Sequence, residues 1–302
     1  ATRHMSPAGL EYHGQLNFMK AGLRYADLVT TVSPSYAGEI ATPEFGCGLD
    51  GVIRGRGPAV VGILNGIDTV VWDPATDQAL AARYDSRRLE GKRECRRALQ
   101  AELGLDVDEG ALLVSVVSRV TPQKGLDLVL AALPVLLTEG VQFAIQGSGD
   151  SALEAALRMA QQTQPGRVQV RIGYDEARAH RMIAGADVIG VPSRFEPCGL
   201  TQMYGLRYGT LPVVRRVGGL RDTVTDLTPR TLADDSGTGF VFDAATPQAW
   251  TEAVRRAQAL KHVPEDWHRA MRIAMAREHG WQQPARAYLA HYRAVADAPP
   301  AA

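Results

Sequence analysis

LLVSVVSRVTPQKGLDLVLAALPVLLTEGVQFAIQGSGD, residues 112–150, decides the fold. A β-rich apolar run (112–118) passes through a polar turn into an apolar segment of helix length (125–140), and a second β-rich run (141–147) follows. The runs are largely continuous rather than alternating, as expected of strands covered on both faces. Strand, crossover helix and strand in that order make a parallel pair. The rhythm continues with strands VQVRIG (168–173), DVIGVPS (187–193), LPVVRR (211–216) and GFVFD (239–243). Helical segments SALEAALRMAQQTQ (151–164) and EARAHRMIAGA (176–186) lie between them. The sequence therefore predicts an α/β domain with a parallel sheet over 111–280, and ligands of such sheets bind beyond the carboxyl ends of the strands.

The flanks read differently. QLNFMKAGLRYA (15–26) is a helix, LVTTVS (28–33) a strand, and SPSYAGEIA (33–41) a capped helix with Pro34 near its start. One strand cannot make a sheet, so residues 1–60 are expected to be the remnant of another α/β domain. The opening ATRHM, without Met at position 1, suggests a piece of a longer protein. Residues 61–110 read as a connector with linking helices. It begins with GILNGIDTVVWDP (62–74), rich in turn signals, and a charged helix is expected over 78–103. Near the end, PEDWHRAMRIAMARE (264–278) and PARAYLAHYRAVAD (284–297) are helices broken at Gly280 and Pro284, so 281–302 form a terminal helix and tail.

Composition narrows the function. The 302 residues carry 33 Lys+Arg and 33 Asp+Glu, a balance that argues against a nucleic-acid partner held by bulk charge. Cys47, Cys95 and Cys198 have no metal-site spacing and suit a reducing cytoplasm better than a disulfide scaffold. No apolar run reaches transmembrane length, so no membrane partner is expected. No DxD or His/Asp cluster suggests a metal. The seven histidines are scattered, and most read as surface or helix-face residues.

Chemistry is expected in the loops at strand ends. SRVTPQKGLDLV (118–129) places Arg119 and Lys124 around a turn at a helix start, a grip for a diphosphate if they are not simply solvated cations. GSGDSA (147–152) satisfies the dinucleotide fingerprint, but on the domain's second strand and with Asp175 too late for a ribose. A tight turn in which Gly147 allows close approach is the plainer reading. In SRFEPCGLTQMYGLRYG (193–209), Glu196 precedes Pro197, so the helix begins after it. Glu196 is either a helix cap or, if an anion takes the N–H groups of Cys198, Gly199, Leu200 and Thr201, an acceptor for sugar hydroxyls. RRVGGLRDTV (215–224) adds another Gly-rich turn.

Together these loops resemble bacterial glycogen synthase and plant starch synthase. The matching stretches are LNFMKAGLRYADLVTTVSPSYAGEI, GILNGID, VSRVTPQKGLDLV, IGYDE, VPSRFEPCGLTQMYGLRYGTLPVVRRVGGLRDTV and GTGFVF, which span about residues 10 to 290. The resemblance implies a GT-B fold: a complete Rossmann-like carboxyl-terminal donor domain, and an amino-terminal Rossmann-like domain largely missing here but expected as its intramolecular partner. It implies retaining transfer of glucose from ADP-glucose to an α-1,4-glucan, with no further cofactor. Arg119 and Lys124 would then hold the diphosphate, and Glu196 the glucose hydroxyls. Cys198, Gly199, Leu200 and Thr201 would face phosphate, Tyr174 the base and Tyr204 the ribose, while Asn65 would reach in from the connector. Tyr204 stands where many relatives of the wider superfamily carry a second Glu, as in the glycogen synthase branch. The family's amino-terminal Lys-x-Gly-Gly-Leu loop has no counterpart. UDP-glucose as donor, a binding part without turnover, and a phosphorylase-like enzyme with a pyridoxal lysine stay open as alternatives.

Overall fold

The computed structural model describes residues 4–297. The described residues form two compact units, 4–66 with 281–297, and 67–280.

The first unit opens with a two-residue-stranded hairpin, β1 (Glu11–Tyr12) and β2 (Gln15–Leu16), followed by α1 (Phe18–Tyr25). Asn17 caps α1 by accepting the Lys20 N–H at 2.8 Å. Next come β3 (Val29–Thr31), α2 (Pro34–Glu39), α3 (Asp50–Arg56) and β4 (Val60–Gly62). Ser33 caps α2, as its position before Pro34 suggested. β3 is not alone: β4 lies parallel to it, with Val29 opposite Val60. Three residues enclosed by turn signals were too short to announce themselves as a strand. The helix Gln282–Ala296 completes this unit.

The second unit begins with turns from 67 to 89 and then α4 (Glu90–Leu103). The helix expected from residue 78 therefore starts twelve residues later, because the intervening side chains are committed elsewhere. The Tyr84 hydroxyl donates to the Tyr208 carbonyl at 2.9 Å, and the Asp85 carboxylate closes a turn by accepting the N–H groups of Arg87 and Arg88. Six strands follow: β5 (Leu112–Val117), β6 (Val141–Gly147), β7 (Val168–Ile172), β8 (Val188–Val191), β9 (Leu211–Arg215) and β10 (Phe240–Phe242). Between them run α5 (Leu126–Thr138), α6 (Ser151–Thr163), α7 (Glu176–Gly185), α8 (Thr201–Arg207), α9 (Gly218–Thr223) and α10 (Pro229–Ala233). The unit closes with α11 (Pro247–Lys261) and α12 (Pro264–Met275).

All neighbouring strands of the sheet are parallel, in the order β10-β9-β8-β5-β6-β7. The order runs outward in both directions from β5, so the connections reverse between β5 and β8. That switch point leaves a crevice beyond the carboxyl ends of these two strands. The sheet is held by apolar residues on both faces. Val114, Val116, Phe143, Ile145, Val188 and Val213 are almost wholly buried, and Trp250 of α11 packs into the same core. The ends of the unit meet where the Ile67 N–H donates to the His279 carbonyl at 2.8 Å.

Candidate active site

The loops that leave β5 and β8 are joined to one another at the switch point. After β5 the chain makes a short 3-10 turn, Pro122–Lys124, and enters α5 through Gly125 at φ +72°. A Cβ on Gly125 would lie 2.1 Å from the Pro192 carbonyl oxygen, so only glycine lets the turn rest on the β8 exit. Polar bonds complete the seam. The Arg194 N–H donates to the Gln123 carbonyl at 2.8 Å, and the Gln123 amide donates to the Phe195 carbonyl at 3.2 Å. The Arg194 guanidinium grips Asp127 with two bonds of 2.7 Å. Gly125→Ala is expected to lose at least about 1–2 kcal/mol from the left-handed backbone alone. Urea unfolding monitored by circular dichroism would measure it, and an unchanged midpoint would mean that the seam yields freely.

This seam brings Lys124 and Glu196 together across 72 residues of sequence, Nζ to Oε2 at 2.5 Å. Glu196 is buried and Lys124 nearly so. The Ser193 hydroxyl donates to the same carboxylate oxygen at 2.9 Å, and the Glu196 carbonyl accepts the Gly219 N–H at 3.1 Å. Of the two readings of Glu196, the cap is not what forms: α8 begins at Thr201 without a side-chain cap, and the carboxylate turns to Lys124 and Ser193 instead. Arg119 is exposed at the mouth of the same loop, where its guanidinium meets the Gln123 carboxamide at 3.1 Å.

The remaining predicted residues divide. Cys198 is buried and Leu200 exposed, with Gly199 at φ +70° between them. The carbonyls of Cys198 and Gly199 are both held by the Gln202 amide, at 3.1 and 3.0 Å. Thr201 is the first residue of α8 and half-buried. A Cβ on Gly147 would fall 1.8 Å from the Ser118 carbonyl, and one on Gly149 would fall 2.3 Å from that of Val120. The glycines of the fingerprint thus let the exits of β5 and β6 touch. Tyr174 is 72% exposed at the exit of β7, a free aromatic face. Asn65 belongs to the first unit, half-buried in the turn after β4.

Sequence reasoning missed a stack of rings behind Tyr204. Trp72 lies between Tyr204 and His180, each ring centre 3.7 Å away and tilted by 13°. His180 is held by Asp77, Nδ1 to Oδ2 at 2.6 Å, and the Tyr208 hydroxyl donates to that same oxygen at 2.6 Å. His180 is therefore an interior residue of this network rather than a surface one. A turn-rich stretch gave no sign that Trp72 and Asp77 would fold back onto α7 and α8. Burial, with smaller contributions from Tyr174, Glu176 and Asp68, raises the pKa of the Tyr204 phenol. Tyr204 thus has one face fixed and shares the field of Tyr174 at the exit of β7.

The chemistry of such a site is anion binding beside a buried carboxylate: two cations on one loop, a carboxylate on the next, and an exposed tyrosine at the crevice edge. The chain belongs to the glycosyl transferases group 1 family, whose model matches residues 102–273, and its α/β fold is of the GT-B type. The starch synthase catalytic domain model matches residues 1–55. Among curated relatives, a glycogen synthase from Leptothrix cholodnii is 55% identical over 288 residues, covering 95% of this chain and 59% of that one. One from Serratia proteamaculans is 54% identical, covering 94% and 60%. The solved catalytic domain of starch synthase IV from Arabidopsis thaliana, bound to ADP and acarbose, superposes with a TM-score of 0.89 at 35% identity, over 97% of this chain and 61% of that one. The chain thus spans about three fifths of the length of the relatives it matches. Among the described residues no helix is long and apolar enough to cross a membrane.

Proposed function

We propose that this chain is the donor-binding part of a glycogen or starch synthase, which transfers glucose from ADP-glucose to the non-reducing end of an α-1,4-glucan with retention. The observation that carries the reading is the Lys124–Glu196 pair at the switch point, with Arg119 on the same loop. Lys124 neutralises Glu196. When the donor enters, Lys124 and Arg119 meet its diphosphate, and the carboxylate, still held by Ser193, accepts bonds from glucose hydroxyls. As the bond from glucose C1 to the diphosphate oxygen breaks, the electron pair leaves on the nucleotide. Fixed cations that face that growing charge lower the barrier without reorganising. The other carboxylate of this loop pair, Asp127, is held by Arg194, so a paired-carboxylate hydrolase mechanism has no free partner for Glu196 there. Tyr174 supplies the face for the base, and Tyr204, backed by Trp72, the wall beside the ribose. Neither a metal nor an organic cofactor is assigned a role, and the cytoplasm is the compartment in which this donor would be met.

Calorimetric titration of the chain with ADP-glucose and with UDP-glucose, both in EDTA, tests the donor half of the reading. Saturable binding with ADP-glucose tighter is expected. Tighter UDP-glucose would shift the reading to another sugar-nucleotide transferase of the same fold. No heat with either, from a chain that melts cooperatively, would remove donor binding from this chain.

A further inference from the structure

A second charged site lies at the opposite end of the sheet, among the amino ends of β5 and β8. A cavity of about 430 Å³ opens there between α4, α12 and the turn Gly185–Asp187 that leads into β8. Its walls carry seven Lys or Arg residues and three carboxylates, in a chain whose Lys+Arg and Asp+Glu are equal in number overall. Part of that charge is internal structure. Asp187 is shared by Arg96 and Lys261, and Glu109 pairs with Arg97. Four basic side chains and one carboxylate are left over: Arg87, Lys92, Arg93 and Arg272, with Glu90. Among the described residues none of the four basic side chains forms an ion pair with a carboxylate.

The arrangement is layered. Lys92 and Arg96, one helical turn apart on α4, are buried at the floor. The Nε of Arg96 is buried with no hydrogen-bond partner, an unmet donor in the cavity wall. Arg87, Arg93 and Arg272 are exposed around the mouth. One wall is apolar, formed by Leu89, Trp267 and Met271. Arginines that converge without carboxylate partners suit the planar faces of a phosphate, and the apolar wall suits a carbon body attached to it. Solvated cations on a single helix face would need neither the cavity nor the buried unmet donor.

We propose that this cavity is a binding site for a small organic phosphate, separate from the donor site, with the phosphate on Arg87, Arg93 and Arg272 and the organic body against Trp267 and Met271. It does not depend on the synthase reading, because the two sites lie at opposite ends of β5 and β8. The line to the other end is nonetheless short. Lys92 donates to the Ala184 carbonyl and to the Thr210 hydroxyl, at 3.0 and 2.5 Å, and so ties the cavity floor to α7, the helix that carries His180.

The test is calorimetric titration with phenyl phosphate, with inorganic phosphate as the probe that lacks a carbon body. The proteins are the wild type, Arg93→Ala/Arg272→Ala and Lys124→Ala. Single-site binding of phenyl phosphate is expected, weakened roughly tenfold or more in the double variant, the scale of losing charge-assisted bonds, and unchanged in Lys124→Ala. Inorganic phosphate should bind more weakly. The two mouth arginines are exposed and without carboxylate partners, so the double variant should melt like the wild type. Equal affinity in the double variant, loss of binding in Lys124→Ala alone, or no saturable binding would each overturn the proposal.

Discussion

Lys124→Ala and Arg119→Ala are each expected to lower glucosyl transfer at least ~10²-fold, the scale of losing one oriented charge donor at a developing anion. The assay belongs in a protein completed to the length of the Leptothrix relative, since the chain covers 59% of it. Both cations are assigned to the departing diphosphate, so kcat and kcat/KM should fall together while the KM for glucan holds. The two variants should differ in stability. Lys124 neutralises a buried Glu196, and its removal leaves that carboxylate without its cation, held by the Ser193 hydroxyl. Arg119 is exposed, and among the described residues its guanidinium meets a neutral carboxamide and no carboxylate, so its removal should leave the fold untouched. Arg119→Ala is therefore the cleaner probe, and Lys124→Ala/Glu196→Gln, which removes both charges, separates lost catalysis from a stranded carboxylate. Unchanged turnover in Arg119→Ala and in the double variant would remove these cations from the mechanism.

What the sequence made legible follows from what each signal depends on. The six strands of the sheet were readable because each is a β-rich run, and their ends fell within two residues of those observed, as at Val141–Gly147 and Leu211–Arg215. Strand order was not readable residue by residue. The structure supplies it, and with it the crevice beyond β5 and β8 that contains Lys124 and Glu196. The distance between those two was not legible, because it depends on Gly125 resting on Pro192 and on Arg194 reaching Asp127, contacts between loops about 70 residues apart. Trp72, Asp77 and His180 were invisible for a related reason. Each is unremarkable among its neighbours in sequence, and they acquire meaning only when 67–89 lies against α7 and α8. The same segment explains the late start of α4, since helix propensity over 78–89 gives way to tertiary bonds.

Asp187→Asn is expected to cost about 3–5 kcal/mol, the range for breaking a buried ion pair from one side. Asp187 stands just before β8 and accepts the Leu113 N–H at 2.7 Å, the Lys261 ammonium at 2.8 Å and the Arg96 guanidinium. It therefore binds β5, β8, α4 and α11 at one point, directly below the strand pair whose upper ends lead to Lys124 and Glu196. Burial alone would push this carboxyl's pKa up. Arg96, Lys261 and the Leu113 N–H outweigh it and hold the pKa below the ordinary carboxylate value. A pKa lowered on folding means that the unfolded chain binds the proton more readily. The stabilisation is then complete above the unfolded-state value, near ~4, and is lost as pH falls through the folded-state value beneath it. Urea unfolding at pH 7 should accordingly separate wild type from Asp187→Asn by the full amount, and the gap should close under acid. Asparagine keeps the size of the side chain, so packing loss would be independent of pH and charge loss would not. A gap that stayed constant from pH 7 into acid would assign the effect to packing, and a gap under ~1 kcal/mol at pH 7 would deny the pin altogether. The complementary variant, Arg96→Met/Asp187→Leu/Lys261→Met, removes every charge of the cluster and should recover much of the loss, because desolvation of three ions disappears with their attraction.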